Sequence, residues 1–325
     1  MTGVVLAVDG GASKTHLALV GADGALLALA HGPLSSPHQI GVDGCVELLD
    51  RLRAEAAQTA GLPELDGVAV AQVMLAGADL PQEETALHDA LAQRGWTQGV
   101  TVANDTFAVL RAGTERKWGV ALVCGTGINC VGVAPDGTTT RFHSLGAITG
   151  DWGGGWDVGL AGLSAAVRSQ DGRGPRTELE TAVPEHFGLE TPLRVAEAIH
   201  LGELPRWRVA ELAPIVLAAA RGDVAAAGIA DRLVAEAADL VRVALDRLGA
   251  TNEPIDIVLG GGLFRDERLT ARIAQELGQL ARQANLVVVD APPIVGAVLL
   301  GLDRLGADPA AGGRARRELE ESVNG

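Results

Sequence analysis

The sequence predicts an α/β fold made of two halves that share one strand order, and two observations lead to this prediction. Apolar runs of strand length alternate with stretches of helical periodicity along most of the chain. The order strand, glycine turn, strand, Asp-Gly turn, strand, then alternating helices and strands begins near residue 4 and again near residue 119. The halves share little residue identity, so a topology rather than a sequence is repeated. Two such halves facing each other would form a central cleft lined by glycine turns from both.

The first half begins with a predicted meander of three strands. The apolar runs Val4–Val8, His16–Val20 and Ala25–Ala30 are separated by turns that contain Asp-Gly, a dipeptide that favours hairpins. Helices and strands then alternate, which indicates a mainly parallel sheet. The later elements are predicted at 42–60 (helix), 68–75 (strand), 82–93 (helix), 100–103 (strand) and 106–112 (helix).

The second half repeats this order and adds a long helical region. The predicted elements are strands at 119–123, 128–133 and 138–143, a helical region over 157–248, a strand at 255–259, a helix at 266–281, a strand at 286–289 and helices at 294–305 and 314–321. We expect an N-terminal lobe of residues 1–113 plus about 293–325. The C-terminal lobe is expected to contain residues 114–292 with a helical insertion.

Composition limits the classes of function. The chain has 325 residues, of which 47% are hydrophobic, so it can bury two sizeable cores. Its net charge of −15 argues against a nucleic-acid partner, because it repels phosphates. Cys45, Cys124 and Cys130 form no CxxC pair, which suits a reducing compartment. The chain starts directly with a strand, and its apolar stretches are too short to span a bilayer. We therefore expect a cytoplasmic protein without a membrane partner.

The first candidate for binding chemistry is the glycine turn after the first strand, Asp9 to Thr15. Gly10 and Gly11 allow close approach of a ligand, and successive backbone N–H groups with the Ser13 and Thr15 hydroxyls suit a phosphate. Lys14 supplies a positive charge, and Asp9 is a candidate to hold Mg²⁺ through water. The alternative is a tight hairpin without a ligand.

Two further glycine turns are candidates for the rest of a nucleotide site. Gly125-Thr126-Gly127 takes the place in the second half that Gly10-Gly11 takes in the first, so the two turns would hold a polyphosphate from opposite sides. Gly260-Gly261-Gly262 ends a strand and leaves room for a flat ring such as adenine. Each of these two glycine turns is also compatible with an ordinary connection between two elements that binds no ligand. GxxxxGK[ST] and GxGxxG motifs are missing from the sequence, which argues against P-loop enzymes and dinucleotide oxidoreductases.

Asn104-Asp105 follows a predicted strand of the first half. Ligands of α/β sheets bind at the carboxyl ends of strands. Phosphoryl transfer to an alcohol needs a base near the hydroxyl, and aspartate serves this purpose in other kinases. Asp105 is therefore the candidate catalytic base, and Asn104 a candidate substrate contact. The alternative is that the pair only caps the helix that follows.

The segment Gly150 to Asp157 combines two tryptophans, two aspartates and four glycines in eight residues. Carboxylates accept hydrogen bonds from sugar hydroxyls and tryptophan offers a flat apolar wall, so Asp151 and Asp157 are candidate sugar ligands. A glycine hinge with Asp157 as helix N-cap is the alternative. Ser35 and Ser36 lie in a predicted loop that would add hydroxyl contacts or would be a plain surface turn.

Taken together, these segments resemble the N-acetylglucosamine kinase-like group, the BadF/BadG/BcrA/BcrD ATPase family. The resemblance covers nearly the whole chain, and the order and spacing of the motifs carry it. The matching segments are Val8 to Thr15 (first phosphate motif), Ala103-Asn104-Asp105 (catalytic aspartate), Gly125-Thr126-Gly127 (second phosphate motif), Leu259 to Gly262 (adenosine motif) and Pro293 to Ala297 (a final helix that packs on the first lobe).

The resemblance implies a duplicated ribonuclease-H-like fold of the actin-like ATPase type. It also implies ATP and Mg²⁺ as cofactors and transfer of the γ-phosphate to the 6-hydroxyl of a hexosamine. Asp105 would be the base and, with Asp9, would lie at the metal, while Asp151 would bind the sugar. Family kinases usually have Gly-Asp-Glu-Gly-Ser-Gly where this chain has Gly150 to Gly155, with Asp157 as an extra acid. Because an ammonium group favours a nearby carboxylate, these departures indicate glucosamine.

Several alternatives stay open at this point. The sugar is glucosamine, N-acetylglucosamine or glucose, and a homodimer is one option for the assembly. The family also contains ATPase activators of radical dehydratases, which hold an iron–sulfur cluster with cysteines. A sugar-sensing regulator and an actin-like ATPase without a sugar acceptor are further options. The related ROK kinases have a cysteine-rich zinc site, and because no such cluster occurs in this sequence we expect no structural metal.

Overall fold

A computed structural model describes residues 3–62, 68–97 and 99–324 of the chain. The chain divides into two compact units: unit 1 contains Met1–Gly119 and Val289–Gly325, and unit 2 contains Val120–Val288. The strands in chain order are β1 (Val4–Gly10), β2 (Lys14–Gly21), β3 (Leu26–Pro33), β4 (Val68–Leu75), β5 (Val100–Asn104), β6 (Gly119–Cys124), β7 (Ile128–Val133), β8 (Thr139–Arg141), β9 (Asp256–Gly260) and β10 (Asn285–Val288).

The helices complete the list of elements. In chain order they are α1 (Pro37–Thr59), α2 (Pro81–Gln93), α3 (Thr106–Gly113), α4 (Gly154–Gln170), α5 (Leu179–Phe187), α6 (Pro192–His200), α7 (Ala213–Ala219), α8 (Val224–Leu248), α9 (Glu267–Leu280), α10 (Pro293–Leu305) and α11 (Pro309–Asn324). Short 3₁₀ turns occur at Gly146–Ile148, Arg206–Leu212 and Gly262–Arg265.

The two sheets have the same strand order. In unit 1 the order is β3-β2-β1-β4-β5, and in unit 2 it is β8-β7-β6-β9-β10, so each strand of the second sheet takes the position of its counterpart in the first. In unit 1, β1 is antiparallel to β2 and parallel to β4, which is parallel to β5. The predicted repeat of topology is confirmed, and with it the duplicated ribonuclease-H-like α/β fold.

The sheet of unit 1 is covered on both faces. Alternate residues of β1 point to opposite faces: Leu6 and Val8 pack with apolar residues of α1 and α2, whereas Val5 and Ala7 pack with residues of α3, α10 and α11. All four of these β1 side chains are almost completely buried. A strand buried on both faces carries a continuous apolar run, which explains the Val4–Val8 pattern in the sequence.

Helix α1 begins five residues earlier than the sequence predicts. Pro37 lies in its first turn, where proline fits a helix because its missing N–H would have no helical partner. Gly41 then has φ of +74°, a left-handed conformation that kinks the helix and that glycine adopts readily. The apolar periodicity used for the prediction starts only after this kink.

The helical region between β8 and β9 is a set of shorter helices, α4 to α8, rather than a continuous one. Gly188 and Gly202 adopt positive φ in two of the connections, and Pro192 starts α6. Among the described residues, no single helix has the length and apolar character needed to cross a membrane. Two consecutive helical segments, Arg206–Ala219 and Val224–Leu248, reach that length and apolar character only when they are taken together, and the angle between them is 108°.

Candidate active site

The parallel strands of unit 1 end together at one edge of the sheet. In the register of the sheet, Gly10 of β1 lies opposite Leu75 of β4, and Leu75 lies opposite Asn104 of β5. The residues that follow these positions are therefore neighbours: the first glycine turn, the loop after β4 and the Asn104-Asp105 pair. This edge is where α/β sheets bind ligands.

The first glycine turn is a tight hairpin in which Gly11 N–H donates to the Lys14 carbonyl at 2.9 Å. Gly10 is required by packing, because a Cβ at this position would lie 2.3 Å from both a Leu75 methyl and the Ser35 hydroxyl. Ser13 and Lys14 are exposed at the turn. Thr15 is buried, and its hydroxyl donates to the Pro33 carbonyl at 2.7 Å, so that hydroxyl serves the fold.

Asp9, at the end of β1, is buried, with 8% of its surface exposed. Its Oδ2 lies 3.6 Å from Nδ1 of His16, the residue paired with it on β2. The His16 ring in turn packs edge-on against that of His31 on β3, with centroids 5.0 Å apart. A carboxylate in this position offers hard oxygen ligands of the kind Mg²⁺ prefers.

Asp105 does not cap the helix that follows it. Its side chain makes no capping hydrogen bond to α3. Instead, Oδ1 of Asn104 accepts the Thr106 N–H at 2.9 Å, and Nδ2 of Asn104 donates to Oδ1 of Asp79 at 2.8 Å. Asp105 is therefore the N-cap residue of α3 by position but makes no side-chain cap, and the buried Asn104 amide accepts one N–H of the first turn instead.

The surroundings of Asp105 favour its protonated form. Burial raises the pKa of this carboxyl to about 7, and the negative charges of Asp9 and Asp79 add to the effect. A group that titrates near neutral pH is suited to accept a proton from an alcohol. The three carboxylates are thus within electrostatic reach of one another at the strand-end edge.

Asp79 and Glu83 are residues that the sequence analysis missed. Asp79 lies in the loop between the end of β4 at Leu75 and the start of α2, so a search of the loops at the strand ends would have found it. Oε2 of Glu83 accepts the N–H groups of Asp79 and Leu80, both at 2.9 Å, and Oε1 lies 2.8 Å from Nε2 of His38. These contacts connect the β3–α1 loop, the β4–α2 loop and the Asn104-Asp105 pair.

Ser35 and Ser36 occupy the loop between β3 and α1, as predicted, but both are buried. The Ser35 hydroxyl has no hydrogen-bond partner within the described residues. Ser36 precedes α1 without a side-chain capping bond. The two hydroxyls therefore remain candidates for a substrate contact only if the ligand reaches into this loop.

In unit 2 the second glycine turn packs against the start of α4. Gly155 N–H donates to the Gly125 carbonyl at 2.8 Å and Trp156 N–H to the Thr126 carbonyl at 2.9 Å. Gly154 has φ of +73°, and a Cβ there would lie 2.4 Å from the Gly127 carbonyl group. The glycines of the 150–157 segment thus allow backbone-to-backbone packing on the turn.

The third glycine segment also reaches the second turn. Gly261 has φ of +102°, and a Cβ there would lie 2.4 Å from the Cys124 carbonyl oxygen. By contrast, a Cβ at Gly125, Gly127 or Gly262 would meet no atom within 4 Å. Unit 2 therefore contains glycines that the packing requires and glycines that face open space, and the second kind leaves room for a ligand.

Asp151 and Asp157 both have partners close in sequence. The Thr149 hydroxyl donates to Asp151, and Gly153 N–H donates to Oδ2 of Asp157 at 3.0 Å. The N-cap of α4 is Gly153, so the alternative with Asp157 as N-cap is wrong in position, although its carboxylate does stabilise the helix start. Both side chains are partly exposed.

The tryptophans of this segment stack with arginines of unit 2. The Arg232 guanidinium lies 4.2 Å from the Trp152 ring centroid, and that of Arg206 lies 5.8 Å from the Trp156 centroid. Trp156 also lines an apolar cavity of about 410 Å³ with residues of α4, α6 and the 206–212 turn. Part of the unusual composition of the segment is therefore explained by packing.

The three cysteines are buried and unpaired. Burial raises the pKa of the Cys45 and Cys124 thiols to about 12, and it raises the pKa of Cys130 as well. Thiols in such surroundings act as small apolar side chains rather than as ligands or nucleophiles.

Comparison with known proteins identifies the class. The model of the BadF/BadG/BcrA/BcrD ATPase family matches residues 6–301. The chain belongs to this family, as its motifs indicated. The relatives described next are named sugar kinases, which confirms the predicted class of enzyme, an ATP-dependent phosphotransferase.

The relatives include named sugar kinases. An N-acetylmuramic acid/N-acetylglucosamine kinase of Clostridium acetobutylicum is 27% identical over 264 residues, 81% of this chain and 86% of the relative. An N-acetyl-D-glucosamine kinase of Dictyostelium discoideum is 25% identical over 321 residues, 92% of this chain and 98% of the relative. The crystal structure of a proposed N-acetylglucosamine kinase from Chromobacterium violaceum has a TM-score of 0.72 and 25% identity, covering 92% of this chain and 98% of that one.

Proposed function

We propose that this chain is a hexosamine kinase that transfers the γ-phosphate of ATP to the 6-hydroxyl of glucosamine. The observation that carries the kinase assignment is the state of Asp105. Its carboxylate lies at the strand-end edge, is not used as a helix cap, and has a pKa raised to about 7 by burial and by Asp9 and Asp79. This is the environment that a general base for an alcohol requires.

For the nucleotide, the glycines that face open space fit the proposed role. Gly125, Gly127 and Gly262 have no atom within 4 Å of a Cβ position, so phosphates and adenosine can approach the backbone there. Thr126 is exposed between the first two. In unit 1, the exposed Ser13 and Lys14 with the Gly11 backbone are the proposed phosphate contacts.

Mg²⁺ is the proposed metal of the reaction. Asp9 and Asp105 supply carboxylate oxygens, the ligand type that this hard cation prefers, and the ion usually keeps several waters. When bound, the ion would neutralise charge on the transferred phosphoryl group. The buried position of Asp9 next to His16 would hold its carboxylate in one orientation.

For the sugar, Asn104, Asp105, Asp151 and Asp157 are the proposed contacts. Glucosamine is favoured because it is a cation at neutral pH, and carboxylates stabilise a nearby ammonium group. In this segment the chain has two carboxylates, Asp151 and Asp157. Related kinases usually have Glu at the position of Trp152 and Ser at the position of Gly154. N-acetylglucosamine is the second candidate, since the named relatives act on it.

The test is ADP release from Mg·ATP with glucosamine, N-acetylglucosamine, glucose and no sugar. Glucosamine is expected to give the highest kcat/KM. Asp157→Asn should raise the KM for glucosamine more than that for glucose, because only the first carries an ammonium group. Equal activity on all three sugars would contradict the substrate proposal. Turnover without stimulation by any sugar would contradict the kinase proposal.

A further inference from the structure

Three side chains from the start of α1, the loop after β4 and the start of α2 lie close together beside Asn104. They are His38 at the start of α1, Asp79 in the loop after β4 and Glu83 in the first turn of α2. One ligand atom of each lies within 4.8 Å of the other two. Nε2 of His38 lies 2.8 Å from Oε1 of Glu83, so the two groups share a hydrogen bond that a metal ion would replace.

Neighbouring groups hold the two carboxylates in position. Oε2 of Glu83 accepts two backbone N–H groups, from Asp79 and Leu80, at 2.9 Å each. Oδ1 of Asp79 accepts from the amide of Asn104 at 2.8 Å, and Asn104 is itself 97% buried and fixed to the α3 N-terminus. Carboxylates oriented by such outer hydrogen bonds are a usual feature of metal sites.

The loop backbone brings the histidine to these carboxylates. Gly77 has φ of +87°, and a Cβ there would lie 3.0 Å from the Ser36 hydroxyl and 3.5 Å from Cγ of His38. The positive φ favours glycine at this position. The loop that carries Asp79 thus lies against the Ser36–His38 segment.

Charge and access also suit a cation. The group combines two acidic side chains, Asp79 and Glu83, with one imidazole, a set of donors that favours a cation. The side chain of His38 is 48% exposed and that of Glu83 is 26% exposed. One side of the group thus faces solvent, where water ligands can complete a coordination shell.

We propose that His38, Asp79 and Glu83 bind a divalent first-row transition-metal ion, with Zn²⁺ as the physiological class. One imidazole and two carboxylates form a borderline donor set that suits Zn²⁺ better than Mg²⁺, which prefers oxygen ligands alone. The ion links the β3–α1 loop to the β4–α2 loop, beside the pair that contains Asp105. This proposal revises the expectation of no structural metal and does not depend on the identity of the sugar.

The test is a titration of the full-length, untagged protein with ZnCl₂ by calorimetry, with Co²⁺ absorption as a second readout. The wild type is expected to bind one Zn²⁺ per chain with a micromolar Kd and to unfold at a higher temperature with Zn²⁺. His38→Ala should weaken Zn²⁺ binding at least about tenfold and abolish the temperature shift. The loss of a group that only orients a metal ligand already weakens metal binding by about 10–100-fold. This variant keeps the bonds that Glu83 accepts from the Asp79 and Leu80 N–H groups.

His88→Ala is the matched control, since His88 also lies against a carboxylate, 3.2 Å from Asp89, but no third ligand from the described residues joins them. It should bind Zn²⁺ like the wild type. Absence of saturable binding by the wild type below millimolar Zn²⁺ would overturn the proposal. Binding that is unaffected by His38→Ala, or equally lost in His88→Ala, would overturn it too, leaving His38 and Glu83 as a surface ion pair.

Discussion

At the scale of single residues, the Asn104-Asp105 pair shows how two adjacent polar side chains divide their tasks. Asn104 is buried and uses its amide to satisfy the α3 N-terminus and to hold Asp79. Asp105 makes no side-chain cap to α3 and lies half-buried at the strand-end edge. The sequence suggests a cap and a base as alternatives for the pair, and the structure shows that the capping belongs to Asn104.

Replacing the proposed base gives the first prediction. Asp105→Asn should lower kcat by about 10²–10⁴-fold, the usual contribution of a general base. The fold should persist, because the side chain is not needed as a cap. Turnover is measured by ADP release and folding by thermal unfolding. Asp89→Asn, at an exposed position on α2, is the control and should keep full activity. Near-normal turnover by Asp105→Asn would rule out this base.

The pH dependence gives the second prediction. Because the pKa of Asp105 is raised to about 7, the base is protonated below that pH, and kcat/KM should fall as the pH drops through 7. Asp79→Asn removes one of the negative charges that raise this pKa. The acidic limb of the kcat/KM profile should therefore move to lower pH in the variant. An unchanged limb would show that Asp79 does not act on the base.

The raised pKa of Asp105 also affects the stability of the folded protein. The native state keeps the Asp105 proton between the ordinary carboxyl pKa of 3.8 and about 7, whereas the unfolded state has lost it. The unfolded state thus binds fewer protons in this window, so the contribution of Asp105 to the free energy of unfolding falls as the pH rises from 4 to 7. Asp105→Asn should remove that fall.

At the scale of elements, the packing of α4 on the second glycine turn separates two kinds of glycine. The third prediction compares Gly127→Ala with Gly154→Ala. The first side chain would enter open space, so the unfolding temperature should stay the same while the KM for ATP rises at least severalfold. The second would meet Gly127 at 2.4 Å with a positive φ and should destabilise unit 2 by roughly 2–5 kcal/mol.

These two variants are measured side by side by thermal unfolding and by ATP saturation curves. An unchanged KM for ATP in Gly127→Ala would remove this turn from the nucleotide site. Normal stability of Gly154→Ala would contradict the close packing of α4 on the turn.

Strands and hairpins were predictable from the sequence because their signals are local. The meander from Val4 to Pro33 follows from apolar runs and Asp-Gly turns, and β4 was predicted with its observed bounds. The start of α1 was not, because its kink at Gly41 interrupts the apolar period. The contacts of Gly154 with Gly127 and of His38 with Glu83 join residues far apart in sequence, and no local pattern encodes them.

At the scale of the whole molecule, acidic residues exceed basic ones, 41 against 26. Self-repulsion destabilises the compact state, and salt screens it. The fourth prediction is that the unfolding temperature rises by about 2–4 °C between 20 and 200 mM NaCl, a shift that corresponds to roughly 1 kcal/mol. Choline chloride should have the same effect if screening is the cause. A lower unfolding temperature in salt would mean that the surface ion pairs outweigh the repulsion.

The position of α10 has a consequence for how the chain is made. Side chains of α10 and α11 complete one core of unit 1. In the sequence, however, all of unit 2 comes after the strands of the unit 1 sheet and before these two helices. At 5–20 residues per second, the ribosome needs roughly 9–35 s to proceed from the end of the first segment to α10. During that time the β1–β5 sheet has only α3 of the three helices that cover one of its faces, so part of that apolar face is open to chaperones. Unit 2 is continuous, so the segment that is translated first is expected to acquire its full core last.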